Sequence, residues 1–424
     1  MKDAVPAGLL ALLLAAVAPA GQAVPPDPCG SLHELRARLA ASPGSPAALA
    51  AAEAFSDCAR RAGTPLFFPA AAVGGVRALF VFRSGVARVF LAGDMNGWST
   101  SSHALERLEG TDLHVLELEL PDGARLDYKL VVGGTEWKLD PWNPRTMPGG
   151  FGPNSELRTP GYVPPPEVEP RPGTPRGRYE ELTVESRALA GPRRALAWVP
   201  PGATTQSPPL PVLYLLDGLD YREFAKVHTV AENLLAAGRI PKLLLVLVPP
   251  VDRGGEYERN EPFERFLATE LVPAVEARWP VRKDPAGRGV MGVSLGGFAA
   301  LSAVARSPGV FGLCGAQSTG NAVPANLEAL LGDLARLPAG AARFHVDVGA
   351  FESNLHGDDL LAVSRKVRDV LAGRQPLRYR EVPEGHSWGS WRARLAEAWT
   401  FLLGDPAPAP PRPPVSPPPS PASR

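Results

Sequence analysis

The segment best suited to covalent chemistry is Gly292-Val293-Ser294-Leu295-Gly296. It follows the apolar run GRGVM and precedes FAALSAVAR, which has the composition of a helix. Between a strand and a helix, such glycines permit a turn so tight that larger flanking side chains would collide with both elements. The turn aims the Ser294 hydroxyl out of the strand's carboxyl end, with a helix N-terminus behind it. A serine hydroxyl is a poor nucleophile at neutral pH, so it needs a base. The chain has 7 His. His33 falls in an N-terminal helical stretch, and His103 and His114 fall in a strand-rich stretch. His228 reads as helical, His345 as mid-strand, and His356 follows a strand by several residues. His386, in EVPEGHSWGSW, lies between the last strand and a closing helix and is the expected base.

The acid that orients the imidazole should lie between Ser294 and His386 in the chain. FHVDVGAFESNLHGDD supplies Asp347, Glu352, Asp358 and Asp359. Asp347 is mid-strand. Glu352 falls just past the strand end, where a carboxylate would hold the histidine tautomer and stabilise the imidazolium. Glu352 is favoured and Asp358 is second; capping the next helix is the other role open to Glu352. Two backbone N–H groups must face the developing oxyanion. Leu295 supplies one. The loop Leu216-Asp217-Gly218-Leu219 is the expected source of the second, with Gly218 permitting the bend.

These residues need a frame. ELTVESRA, RALAWVPP, PVLYLLDG, KLLLVLVPP, GRGVMGVS, LCGAQSTG, RFHVDVGA and LRYREVPEG read as strands separated by helical stretches. Several are continuous apolar runs, as expected of strands buried on both faces. That alternation predicts a doubly wound α/β domain over residues 179–404. Upstream, ALFVFRS, ARVFLAGD, HVLELELP and RLDYKLVVGG are short strands bounded by Gly, Asp and Pro, predicting a small β-sandwich over 73–160. The Pro-rich stretch 161–178 reads as a semi-rigid linker. The Pro/Ser/Ala-rich tail, 405–424, lacks the apolar content for a core.

Among 424 residues, 44 Lys+Arg balance 44 Asp+Glu, which excludes a nucleic-acid reader driven by bulk charge. The N-terminal GLLALLLAAV follows a lysine and precedes APAGQA, the pattern of a signal peptide over 1–23, cleaved after Ala20 or Ala23. The apolar run is too short for the roughly 20 residues of a membrane span, and no other run is long enough. The expectation is a secreted or periplasmic protein. Export permits disulfides. Cys29 and Cys58 flank two helical stretches joined by SPGSP, within a helical hairpin assigned to 24–72, and a fold-back would bring them together. Cys314 is left as a buried small hydrophobe.

Taken together, VLYLLDGL, VDRGGEYERNEPFERFLATELVPAVE, GVSLGGFAAL, GAFES and EGHSWGSW resemble the enterochelin-esterase, esterase-D and antigen-85 group of serine esterases, which have the α/β-hydrolase fold. The resemblance implies Ser294 as nucleophile, His386 as base, a carboxylate near Glu352, and the Leu219 amide as the second oxyanion donor. Arg253, Glu256 and Tyr257 match a segment of the group that either shapes the pocket or braces a loop. VFLAGDMNGWS, LPDGARLDYKLVVGGTEWKLDPWNP and FGPNSEL are similar to the glycogen-binding and isoamylase N-terminal module (CBM48, an E-set, immunoglobulin-like sandwich). By that resemblance Trp98, Trp137, Lys129 and Asn154 form a sugar platform, or else serve packing.

The expectation is an exported serine esterase working through an acyl-enzyme, with no metal or organic cofactor. The accessory module points to a glycan-linked acetyl or feruloyl ester and a possible polysaccharide partner. A siderophore trilactone is the alternative small-molecule substrate, with Arg222, Lys226, Arg253 and Arg259 as candidate cations. Acyl transfer is a third reading. A non-catalytic glycan-binding protein is a separate class, disfavoured by the intact Ser294, His386 and LLDGL.

Overall fold

The computed structural model describes residues 29–320 and 322–404. The expected signal peptide and the expected C-terminal tail lie outside the described residues. Two helices come first, α1 (Leu32–Ala41) and α2 (Pro46–Ala62), capped by the Ser31 and Ser45 hydroxyls. Ala48, Ala52, Phe55 and Ala59 recur at helical spacing and are buried. Cys29 is bonded to Cys58, which ties the start of α1 to the end of α2.

Nine strands follow: β1 (Leu66–Pro69), β2 (Gly75–Arg83), β3 (Val89–Gly93), β4 (Glu106–Arg107), β5 (Leu113–Pro121), β6 (Arg125–Val132), β7 (Glu136–Lys138), β8 (Thr146–Met147) and β9 (Asn154–Arg158). They form two antiparallel sheets, β1-β2-β5-β4 and β3-β6-β9-β8, with β7 on β6. The sequence pattern puts 66–69 at the end of the helical segment, yet these residues pair with β2. Val76, Ala78, Phe80 and Phe82 of β2 face the second sheet. Leu79 and Val81 face the helical hairpin. This strand is therefore covered on both faces, which explains its unbroken apolar run.

Residues 161–177 form a strap against the C-terminal domain. The Asn233 amide donates to the Glu167 and Glu169 carbonyls at 2.8 Å each, and Arg239 pairs with the Glu167 carboxylate. Low apolar content signalled a linker, and backbone carbonyls together with the Glu167 carboxylate secure it.

The C-terminal domain is built on eight strands in the order β10-β11-β13-β12-β14-β15-β16-β17. They are β10 (Arg178–Ser186), β11 (Gly191–Val199), β12 (Val212–Leu216), β13 (Leu244–Val248), β14 (Arg288–Val293), β15 (Leu313–Gln317), β16 (Arg343–Gly349) and β17 (Leu377–Val382). Strands from β13 to β17 in that order pair in parallel, and β10 and β11 pair antiparallel at one edge. Nine helices complete the described fold: α3 (Gly218–Glu223), α4 (Val227–Ala236), α5 (Arg253–Tyr257), α6 (Glu261–Phe266), α7 (Val272–Arg278), α8 (Leu295–Arg306), α9 (Pro324–Arg336), α10 (Leu360–Leu371) and α11 (Trp388–Leu403). Phe263, Phe298, Leu330 and Val367 fill one face of the sheet, while Val230, Leu234, Leu395 and Trp399 fill the other. The loops that leave β12, β14, β16 and β17 meet at the sheet's carboxyl edge, where α/β sheets bind ligands. Among the described residues, no helix is long and apolar enough to cross a membrane.

Candidate active site

Ser294 sits in the turn between β14 and α8 with φ 56° and ψ −126°, a sparsely populated conformation for a non-glycine residue. Its neighbours leave no room. A side chain on Gly292 would lie 2.2 Å from the Gly296 carbonyl oxygen, and one on Gly296 would lie 2.9 Å from an Asp217 carboxylate oxygen. The Ser294 hydroxyl is 3.1 Å from His386 Nε2. His386 Nδ1 is 2.7 Å from the carboxylate of Glu352, which is fully buried. A carboxylate only accepts, so it fixes the Nδ1–H tautomer and leaves Nε2 free to take the serine proton.

Glu352 is itself held. Its other oxygen accepts from the Gly349 N–H at 2.7 Å and from the Ser318 hydroxyl at 2.8 Å. Ser318 accepts in turn from the Trp391 indole at 2.9 Å. The Trp391 ring stands edge-on to the His386 ring, with centroids 4.8 Å apart. The Asp359 side chain, and not the Glu352 carboxylate, caps the following helix by accepting from the Ala362 N–H, while the Glu352 backbone carbonyl accepts from the Leu360 N–H at 2.9 Å. Asp358 is exposed. Asp347 is consumed by His345 at 2.9 Å and Arg394 at 3.0 Å. His228 meets the Tyr179 hydroxyl, and His103 lies against Asn96 in the sandwich.

The other side of the serine is formed by the turn after β12. Asp217 has φ 58°, and a side chain on Gly218 would lie 2.4 Å from the Leu247 carbonyl carbon. Arg253 donates to both Asp217 carboxylate oxygens at 2.8 Å, and the Asp217 N–H donates to the Tyr257 hydroxyl at 2.7 Å. Glu256 is bidentate with Arg193. Arg253, Glu256 and Tyr257 thus brace the turn. Leu219 and Leu295 lie in the first turns of α3 and α8, where backbone N–H groups have no partner within the helix.

The four sandwich positions also converge. The Trp98 and Trp137 rings are 6.4 Å apart, tilted by 32°, and Trp137 is 45% exposed. The Asn154 amide donates to Asp127 at 3.1 Å. Lys129 and Asp127 are two residues apart on β6 and share a face. The Trp98 indole donates to Asp94 at 3.1 Å, and the Asp94 carboxylate accepts from the His386 N–H at 3.3 Å. This face therefore adjoins the histidine loop.

Residues 186–402 match the Esterase family model, described as "Putative esterase". The chain belongs to this family. It is by family a carboxylic ester hydrolase. The esterase is 25% identical over 167 residues to an endo-1,4-beta-xylanase/feruloyl esterase of Xylanibacter ruminicola, covering 36% of this chain and 23% of that one. It is 31% identical over 191 residues to an iron(III) enterobactin esterase of Escherichia coli O6:H1, covering 42% of this chain and 45% of that one. The matches thus span less than half of either relative. Its fold is similar to that of an enterobactin esterase from Shigella flexneri, with TM-score 0.69, 21% identity and coverage of 85% of this chain and 98% of that one.

Sequence reasoning missed Asp94, Arg125, Ser318 and Trp391 around the esterase's histidine. Trp391 and the glycines of EGHSWGSW stood beside His386 in the sequence, but nothing local linked them to the sandwich.

Proposed function

We propose that the protein is an exported serine esterase that cleaves carboxylic esters through an acyl-enzyme, with Ser294, His386 and Glu352 as the catalytic chain. The observation that carries this reading is the continuous link from the Ser294 hydroxyl to His386 at 3.1 Å and on to Glu352 at 2.7 Å. In the first half-reaction Ser294 Oγ attacks the ester carbonyl while its proton passes to His386 Nε2. The Leu219 and Leu295 amides hold the oxyanion. The carbon–oxygen bond to the alcohol breaks, and the alcohol leaves with the proton from His386. Water then loses a proton to His386 and attacks the acyl carbon, releasing the acid and returning the proton to Ser294. The Cys29–Cys58 bond supports export, because such bonds persist in oxidising compartments.

A glycan-linked acetyl or feruloyl ester suits the site best. Aromatic faces such as Trp98 and Trp137 suit pyranose rings, and Lys129 and Asn154 share their side of the sandwich. Exposed Leu219 and Val251 add apolar surface to loops at the sheet's carboxyl edge. A siderophore trilactone is the second reading, favoured by the likeness in fold to an enterobactin esterase across both modules. Against it, Arg253 is paired with Asp217, Arg259 with Asp333 and Lys226 with Glu223, so these three cations already have carboxylate partners.

The test compares the mature protein with Ser294→Ala on p-nitrophenyl acetate, methyl ferulate, acetylated xylan and a tricatecholate lactone. Turnover that depends on Ser294 and ranks the feruloyl or xylan ester first supports the glycan reading. A lactone ranked first replaces it with the siderophore reading. Turnover that survives Ser294→Ala overturns the site. Trp137→Ala should weaken retention on insoluble glucan or xylan while p-nitrophenyl acetate cleavage persists.

A further inference from the structure

The β-sandwich is fastened to the loop that carries His386. The Arg125 N–H donates to the Pro383 carbonyl at 3.1 Å. The Arg125 guanidinium is buried, held by Asp127 at 2.8 Å and Glu156 at 2.7 Å, and donates to Ser387 at 2.6 Å and Ser390 at 3.1 Å. Asp94, at the end of β3, reaches the histidine itself. One carboxylate oxygen accepts from the His386 N–H at 3.3 Å and the Trp98 indole at 3.1 Å, and the other accepts from the Asp127 N–H at 2.7 Å.

The histidine loop is shaped to receive these side chains. A side chain on Gly385 would lie 1.9 Å from the Asp94 carboxyl carbon, and one on Gly389 would lie 2.0 Å from an Arg125 nitrogen. Neither glycine has a positive φ, so room for the sandwich, and not backbone conformation, demands glycine there. The sandwich also abuts the loop after Glu352, since a side chain on Gly97 would lie 1.9 Å from the Asn354 carbonyl oxygen. Trp98, beside it, has φ 63°, a strained value for a bulky residue that only its surroundings can hold.

We propose that Asp94 is a positioning residue for the catalytic base: the sandwich presents this carboxylate to the His386 backbone and thereby sets the imidazole between Ser294 and Glu352. The accessory module is then a part of the catalytic apparatus as well as a candidate binding surface. A displacement of the ring by a fraction of an ångström is enough to impair proton transfer. Asp94 accepts three hydrogen bonds, all from donors in the sandwich or in the histidine loop.

The inference rests on the assignment of Ser294 and His386, and the experiment separates the two. Asp94→Ala and Gly385→Ala disrupt one contact from opposite sides, the first by removing the carboxylate and the second by filling its space. Full-length variants are assayed on p-nitrophenyl acetate, which is too small to need the tryptophan face, and by the rate at which a p-nitrophenyl phosphonate labels Ser294. Each variant should lose ten-fold or more in kcat and in labelling rate, with KM within two-fold of the parent. The double variant should be no worse than the weaker single, since both act on one contact. Asp94→Asn keeps one accepting oxygen and should recover part of the loss. Folded Asp94→Ala and Gly385→Ala with kcat within two-fold of the parent, or a rise in KM at constant kcat, overturn the proposal. Should both alanine variants fail to fold, the kcat of Asp94→Asn decides by the same two-fold limit. Activity surviving Ser294→Ala removes the underlying assignment; an inactive Ser294→Ala beside a fully active Asp94→Ala removes the positioning role alone.

Discussion

The serine and histidine corners of this site are built in different ways. Ser294 is positioned by what stands next to it in the chain: an apolar strand, a turn with no space for side chains, and a buried helix. His386 stands in a loop held from outside. Asp94 and Arg125, more than 250 positions earlier, contact residues 383–390 through backbone and side chain. The first corner stores its geometry in local backbone strain. The second obtains it from an interface between modules. A local device survives as long as its strand and helix do, whereas an interface is lost when either module shifts.

Glu352→Gln strikes the junction of the two corners. Its amide nitrogen would face His386 Nδ1 and impose the wrong tautomer, so kcat should fall by about 10^4-fold with a near-native melt. Steady-state rates on p-nitrophenyl acetate check this. Arg125→Met tests the interface as a source of stability. It leaves Asp127 as a buried carboxylate without its cation, while Glu156 keeps Arg158 at 2.8 Å, and should cost about 3–5 kcal/mol in urea unfolding. Gly218→Ala tests the local corner. A Cβ 2.4 Å from the Leu247 backbone must shift the turn, and kcat should fall by about 10^2–10^3-fold, the usual effect of misplacing an oxyanion donor.

The smallest effect concerns pH. Burial pushes Glu384, two residues before His386, up to about 7. Burial first, and then the Asp127 carboxylate, pushes Asp94 up to about 7. Between their ordinary values and about 7 the folded state binds more protons than the unfolded chain, so stability declines as pH rises through that window. The melting temperature of the parent should therefore drop on going from acidic to neutral pH. Glu384→Gln should flatten that slope, and scanning calorimetry across the window reads it. A slope unchanged in Glu384→Gln would place the pH response away from the interface.

The serine corner is legible in the sequence because that corner is sequential. Gly292, Ser294 and Gly296 announce their turn by composition, and the eight strand segments around them all form strands of one sheet. Glu352 was legible, and favoured over Asp358, as a position just past a strand end, but the contacts that hold it were not. Gly349 and Ser318 bond one Glu352 oxygen and leave the other for His386. The strand at 66–69 is not legible in the sequence, because a four-residue strand has no periodicity of its own and is defined by its pairing with β2.

The chain order of strands, elbow, carboxylate and histidine was enough to point to the class of chemistry and to propose Ser294 and His386 as its nucleophile and base, since a tight turn and a helix N-terminus are local properties of residue type. The tertiary structure decided which distant groups close around the histidine. Asp94 and Arg125 carry no local signal, because their roles arise only when two independently patterned modules dock and exclude water between them. Gly385 and Gly389 were visible as letters, but their reason, the space taken up by Asp94 and Arg125, exists only in three dimensions.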